Sequence, residues 1–142
     1  MALIDEFNSS QAINPMTLYH VLDWFFMIIH PALILFNITG WIWKKTRKAN
    51  LILLLITGGS WLILGIWYGI GYCPLTDWHF GVLHKLGTQD IPHSYIKYLA
   101  DRITGWKLDE TLIDYLTASF YFLALICSLI INIRTRFKMK TR

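Results

Sequence analysis

From Leu51 to Gly71 the chain carries no charged side chain. No other feature limits the fold as strongly. Such a run is long enough to cross a bilayer hydrocarbon core, which is about 30 Å thick and needs ~20 apolar residues. In hydrocarbon a single span must satisfy its own backbone N–H and C=O groups, which leaves the α-helix. Two more windows have similar length, Leu18–Trp43 and Leu112–Ile133. The third holds one acidic residue, Asp114, near its start, and the first is interrupted by Asp23, His20 and His30. A chain that is 55% hydrophobic and 15% charged, with mean hydropathy +0.44, is too apolar for a soluble globule of this size. At 142 residues it is one domain by length. The expectation is an all-α membrane domain over residues 1–142, with transmembrane helices at about 18–43, 51–71 and 112–133. An outer helical loop at 72–110 joins the last two.

The basic residues orient these spans. Lys44, Lys45, Arg47 and Lys48 cluster between the first two windows, and Arg134, Arg136, Lys138, Lys140 and Arg142 follow the third. The positive-inside rule places both clusters in the cytoplasm, with the N-terminus and the second loop outside. The net charge of +4 therefore marks membrane flanks, and nucleic acid is excluded as a partner. Met1–Thr17 lacks a basic n-region and a small-residue cleavage site, so no cleavable signal peptide is expected. Cys73 sits at the outer end of span two. Cys127 lies on the order of 20 Å deeper, at ~1.5 Å per residue, too far for a disulfide.

In chain order, Met1–Asn14 reads as a flexible or surface-lying tail, and Pro15 suits a first helical position. His20, Asp23, Met27, His30, Ile34, Asn37 and Trp41 recur at steps of three and four, the spacing of a packing seam. Polar groups in hydrocarbon are costly, so this seam should face protein, with Asp23 coupled to span three. Pro31 should bend the helix near His30. In span two, Gly58, Gly65 and Gly69 permit close approach; packing within the monomer is the expected use, and a dimer face the alternative. Span three has its own seam, Asp114, Thr117, Tyr121, Ala124 and Ser128, capped by Asp109 with Glu110 in the first turn.

Pro74 should end span two near Cys73, and Thr76 with Asp77 should cap a helix to Leu86, stopped by Gly87. A second short helix fits His93–Thr104, with Pro92 at its start and Gly105 at its end. Ile96, Leu99, Ala100 and Ile103 line one face of it, and Tyr95, Tyr98 and Trp106 suit a membrane interface. The pair should lie on the membrane surface and roof the bundle.

Within Tyr72-Cys73-Pro74-Leu75-Thr76 and its surroundings the chain resembles small bacterial inner-membrane proteins catalogued as domain of unknown function 2784. The resemblance rests on Cys73-Pro74-Leu75-Thr76 after an aromatic and glycine-rich span end, on His30, on the basic first loop, and on Ser94-Tyr95-Ile96-Lys97-Tyr98-Leu99 before the third span. It covers roughly residues 18–133 and departs after Thr76, at Asp77-Trp78-His79. It implies a three-span inner-membrane protein and supplies no activity.

The chemistry-capable side chains form one candidate polar pocket at the outer end: His20, Asp23, His30, Cys73, Asp77, His79, Asp114 and Tyr121. Intramembrane carboxylates are functional candidates by default, and Asp23 with Asp114 could pair or hold a proton. A structural hydrogen-bond cluster is the other reading. Cys73 is expected to be a packed cysteine rather than a reactive thiol. Spans two and three hold no histidine, so a bis-histidine haem cannot form between spans of one chain. His79 and His84 lie roughly 140° apart around a helix and do not converge on an ion. No metal site and no cofactor is expected. The leading function is a non-enzymatic accessory, partner-binding or lipid-binding protein whose partners are the bilayer and a lipid or another membrane protein. The alternative is a membrane enzyme or haem/metal redox carrier using the outer pocket.

Overall fold

The computed structural model describes residues 14–69 and 71–140. The expected tail over residues 1–13 lies outside them, as does Arg142. The described residues form five helices and no strand: α1 Pro15–Thr39, α2 Arg47–Tyr68, α3 Pro74–Lys85, α4 Tyr95–Thr104 and α5 Glu110–Lys140. α1, α2 and α5 are long and apolar enough to cross a membrane.

Local signals set most helix ends. Asn14 caps α1, its Oδ1 accepting from Met16 N at 3.1 Å, and Pro15 takes the first position. α1 continues through Pro31 and stops at Gly40, earlier than the expected Trp43. A side chain at Gly40 would collide with Phe36 O and the Asn50 side chain, so the chain turns there against the start of α2. Thr46 Oγ1 donates to Gly40 O at 2.7 Å and Arg47 Nε to Trp41 O at 3.2 Å, closing the turn. Asp109 caps α5 as expected, accepting from Leu112 N at 2.8 Å.

The end of α2 differs from the sequence expectation. The helix stops at Tyr68 because Gly69, with φ +103°, leaves the helical region, and Gly71 follows at φ +90°. Gly65 is buried within the helix while Gly69 terminates it, so the two do not form one packing face. Pro74 does not merely break a helix. It opens α3 at the first position, with Cys73 at the cap and Asp77 in the first turn; Thr76 lies inside the helix and does not cap it. Gly87 (φ +86°) and Gly105 (φ +72°) end α3 and α4 as expected. One turn of α2, Ser60–Leu64, is a π-helix, and Ser60 Oγ donates to Tyr72 O at 2.9 Å.

α2 packs along α5, α1 packs on α3, and α4 bridges to α5. The apolar centre is Leu54, Tyr121 and Ala124, flanked by Trp41, Trp61 and Leu125. Tyr121 Oη donates to Leu54 O at 2.8 Å, and its ring meets Trp61 at 4.8 Å. The spans are tied again where the basic residues lie. Asn50, wholly buried, donates to Phe36 O (2.7 Å), which also accepts from Gly40 N, and to Asn37 O (3.1 Å), both carbonyls near the end of α1. Ser128 donates to Asn50 Oδ1 at 2.9 Å, and Asn132 donates to Ser128 O and Arg47 O.

The expected seam faces inward at Asp23 and His30, is half-buried at Met27, Ile34, Asn37 and Trp41, and fails at His20, which is exposed. Asp23, Phe26 and His30 are buried, while Phe25 and Ile28 are 54% and 66% exposed on the flank. On α5 the seam holds at Tyr121, Ala124 and Ser128 and fails at Asp114, which is exposed.

Gly58 is required by Tyr121, whose hydroxyl occupies the space a Cβ would take. Gly58→Ala should destabilise the bundle by about 1–3 kcal/mol, the usual penalty of overpacking. Tyr121→Phe in the same chain should recover part of it. Thermal unfolding of the two single variants and the double variant checks this; additive losses would mean that the two positions are uncoupled.

Candidate functional site

A carboxylate on a membrane-length helix needs a counter-charge. The structure supplies one to Asp23 from α4. Asp23 is 6% exposed, and Arg102 meets it with two parallel bonds, Nη1 to Oδ1 at 3.1 Å and Nη2 to Oδ2 at 3.0 Å. This fork-on-fork geometry adds direction to the charge pairing. His79 of α3 completes the group. Its Nε2 lies 2.8 Å from Asp23 Oδ1, so the neutral imidazole carries its proton there and donates it. Arg102 Nη1 also donates to Tyr98 Oη, and the guanidinium lies 5.7 Å from the Tyr98 ring centre.

Three helices thus converge on one carboxylate, and aromatic rings wall it in. Phe26 stacks on His79 at 5.3 Å, Tyr95 stacks on His30 at 3.7 Å, and Tyr95 Oη donates to Phe26 O at 3.4 Å. His79 is 0% exposed, and burial holds its pKa below the ordinary 6.5 despite the pull of Asp23. Burial pushes Tyr95 far up, so it stays a neutral donor. The Asp23 bond raises Arg102, which remains charged. The Nδ1 atoms of His30 and His79 are buried and have no hydrogen-bond partner among the described residues.

Beside this group opens a cleft of about 670 Å³. Trp24 and Trp106 wall it with Tyr98, and His20, Asp23, Asp90, Asp101, Arg102 and Lys107 supply its polar lining. Asp101 is engaged: Lys97 Nζ lies at 2.5 Å and Leu108 N donates to it at 3.0 Å, which together hold its carboxyl below the usual range. Glu110 accepts from Ser94 N at 3.2 Å and fastens the start of α4 to α5.

Of the residues the sequence singles out, the structure joins Asp23 to His79, sets His20 on the cleft wall, and places His30 deeper against Tyr95. The others lie elsewhere. Cys73 is half-buried at the cap of α3, Asp77 faces Tyr72 Oη at 3.3 Å, and Tyr121 belongs to the apolar centre. Asp114 has no hydrogen-bond partner among the described residues, and Asp23 is coupled to α3 and α4, not to span three. The reason is reach: α3 packs on α1, and α4 sends Tyr95 and Arg102 to it, so the two fill the space around Asp23 and His30. On α4 Tyr95 is buried and Arg102 reaches Asp23 from a partly exposed position; of the expected apolar face, Ile96, Leu99 and Ala100 are half-buried and Ile103 is 71% exposed. Arg102 escaped the sequence reading, although Tyr95, Tyr98 and Arg102 share a helical stripe and Asp23 called for a cation. Among the described residues no three of His, Cys, Asp and Glu are grouped to hold a metal.

Residues 20–133 match the family model described as Protein of Unknown function (DUF2784). No curated protein and no solved structure matches the chain.

Removing Arg102 leaves a buried carboxylate uncompensated. Arg102→Ala should cost about 2–3 kcal/mol, below the ~3–5 of a fully buried pair because Arg102 is 37% exposed. Asp23→Asn in the same chain should restore most of it, as read by unfolding of the purified protein. His79 also predicts a pH dependence. Its folded pKa lies below its unfolded 6.5, so its contribution is fully present above pH 6.5 and is lost as pH falls through the lowered value. Between pH 8 and 5 the wild type should lose more stability than His79→Gln; equal slopes would place the effect on another group.

Proposed function

The chain belongs to the family described as Protein of Unknown function (DUF2784), which brings no activity with it, and from that premise we propose a non-catalytic membrane protein that binds a lipid-like amphiphile. Its setting in this reading is the bacterial cytoplasmic (inner) membrane, with the N-terminus outside and the C-terminus in the cytoplasm. α3 and α4 then lie at the outer interface. The flanking charges support that orientation, since the basic clusters follow α1 and end α5, and the cleft lies at the opposite end of the bundle.

One observation carries the binding assignment. Trp24 lines the cleft and also belongs to an exposed apolar stripe of α1. Val21, Trp24, Ile28 and Leu35 are 60%, 65%, 66% and 62% exposed and recur at helical spacing along the membrane-length helix. A molecule with a polar head in the cleft can therefore lay its chain along the stripe without leaving the bilayer. Trp106, 72% exposed, forms the other aromatic wall and suits the head-group level. The enzyme or redox alternative has the Asp23–His79 pair in its favour. Against it, the His79 ring is wholly buried and is not among the residues that line the cleft.

Two measurements test this reading. A reporter fused after Arg142 should read cytoplasmic and one inserted near Thr88 external; the reverse would overturn the orientation. Native mass spectrometry of the mildly solubilised protein should show one retained lipid, reduced several-fold in Trp24→Ala/Trp106→Ala. Retention that is unchanged in that variant would remove the cleft from the account.

A further inference from the structure

The charges around the cleft restrict which head group it can take. Asp23 is matched by Arg102, and Asp101 by Lys97. Once these pairs are set aside, the lining retains one cation and one anion that form no close ion pair among the described residues, Lys107 and Asp90, the former also acting at longer range on the Asp101 carboxylate. Both are exposed. Arg102 keeps donors in reserve as well. A guanidinium has five N–H groups; Asp23 and Tyr98 take three, leaving Nε–H and one Nη2–H. The residual lining thus offers donors for an anionic group, a carboxylate for a cationic one, and two indole faces that attract a cation. A purely anionic ligand would face the uncompensated Asp90, and a purely cationic one would face Lys107 beside Arg102.

We infer that the cleft recognises a zwitterionic phospho-amine head, its phosphate held by Lys107 and Arg102 and its ammonium by Asp90 and the indole of Trp24 or Trp106. The inference rests on the amphiphile-binding reading and names its ligand class. The occupant is a phosphatidylethanolamine-type lipid of the outer leaflet, and free phosphoethanolamine is the soluble source of the same chemistry.

The experiment uses the full chain, delipidated in detergent, with short-chain phosphatidylethanolamine, phosphatidylglycerol and diacylglycerol titrated separately and adducts read by native mass spectrometry. Phosphatidylethanolamine should bind about fivefold more tightly than either of the others, a ratio that one exposed ion pair can supply. Asp90→Asn should abolish the preference over phosphatidylglycerol while keeping phosphatidylglycerol bound. Lys107→Gln should weaken the two phospholipids about equally and spare diacylglycerol. Those two variants alter exposed residues outside the buried pairs, so folding is preserved while binding is read. Equal binding of phosphatidylethanolamine and phosphatidylglycerol by the wild type would overturn the phospho-amine assignment and leave the amphiphile reading standing. Failure of all three to bind would remove that reading too. Displacement of bound lipid by millimolar phosphoethanolamine would overturn the lipid source in favour of a soluble ligand.

Discussion

Asp23 is the constraint on which the loop end of this molecule depends. A carboxylate on a membrane-length helix is destabilising wherever it stands without a counter-charge and hydrogen bonds. Its own helix carries no lysine or arginine, and the hydrogen bonds Asp23 accepts among the described residues come from other helices. The partners come from α3 and α4, which brings a long connection back onto the bundle. Once Arg102 is drawn to Asp23, Tyr95 on the same helix closes over His30 and Phe26, and Tyr98 meets His79 and Phe80. The loop is thereby a packed layer of the fold.

A second polar knot, around Asn50, balances the first at the other end of the bundle. There the setting is a helix terminus, whose last carbonyls have lone pairs left for further donors. Asn50 serves two of them and accepts from Ser128, so one amide joins all three long helices. Between the knots the bundle is held by close packing instead. Gly58 lets Tyr121 reach the Leu54 carbonyl, and the π-helical turn that follows carries Trp61 onto the Tyr121 ring.

The cleft is a by-product of this arrangement. α1 contributes Trp24, α3 contributes Leu83, α4 contributes Tyr98 and Arg102, and the turn beyond it contributes Trp106 and Lys107. The segment between α3 and α4 adds Thr88 and Asp90. No single stretch of chain contains enough of the lining to announce a site. Its polar character follows from Asp23, since the guanidinium that neutralises the carboxylate is left half facing the cleft.

The sequence by itself determined the class of fold, the three membrane-length helices, the inward facing of Asp23 and His30 on α1 and most helix ends. These are local or periodic properties. The charge-free run, the recurrence of Asp23, His30 and Asn37, the Asp109 cap and the glycines after α3 and α4 act within a few residues of themselves. Where two local signals compete, even nearby structure escapes the reading: Gly69 overrode the continuation of α2, and Pro74 displaced Thr76 from the cap. The partners of Asp23 were decided by tertiary structure alone. His79 lies 56 residues along the chain and Arg102 lies 79. Spacing along one helix predicts that a carboxylate must be neutralised, but not by which cation, because Lys85, Lys97 and Lys107 share the same loop. Arg102 is chosen because α4 packs Tyr95 against α1 and Tyr98 against α3 and aims its last turn at the carboxylate, and that packing exists only once the chain has folded.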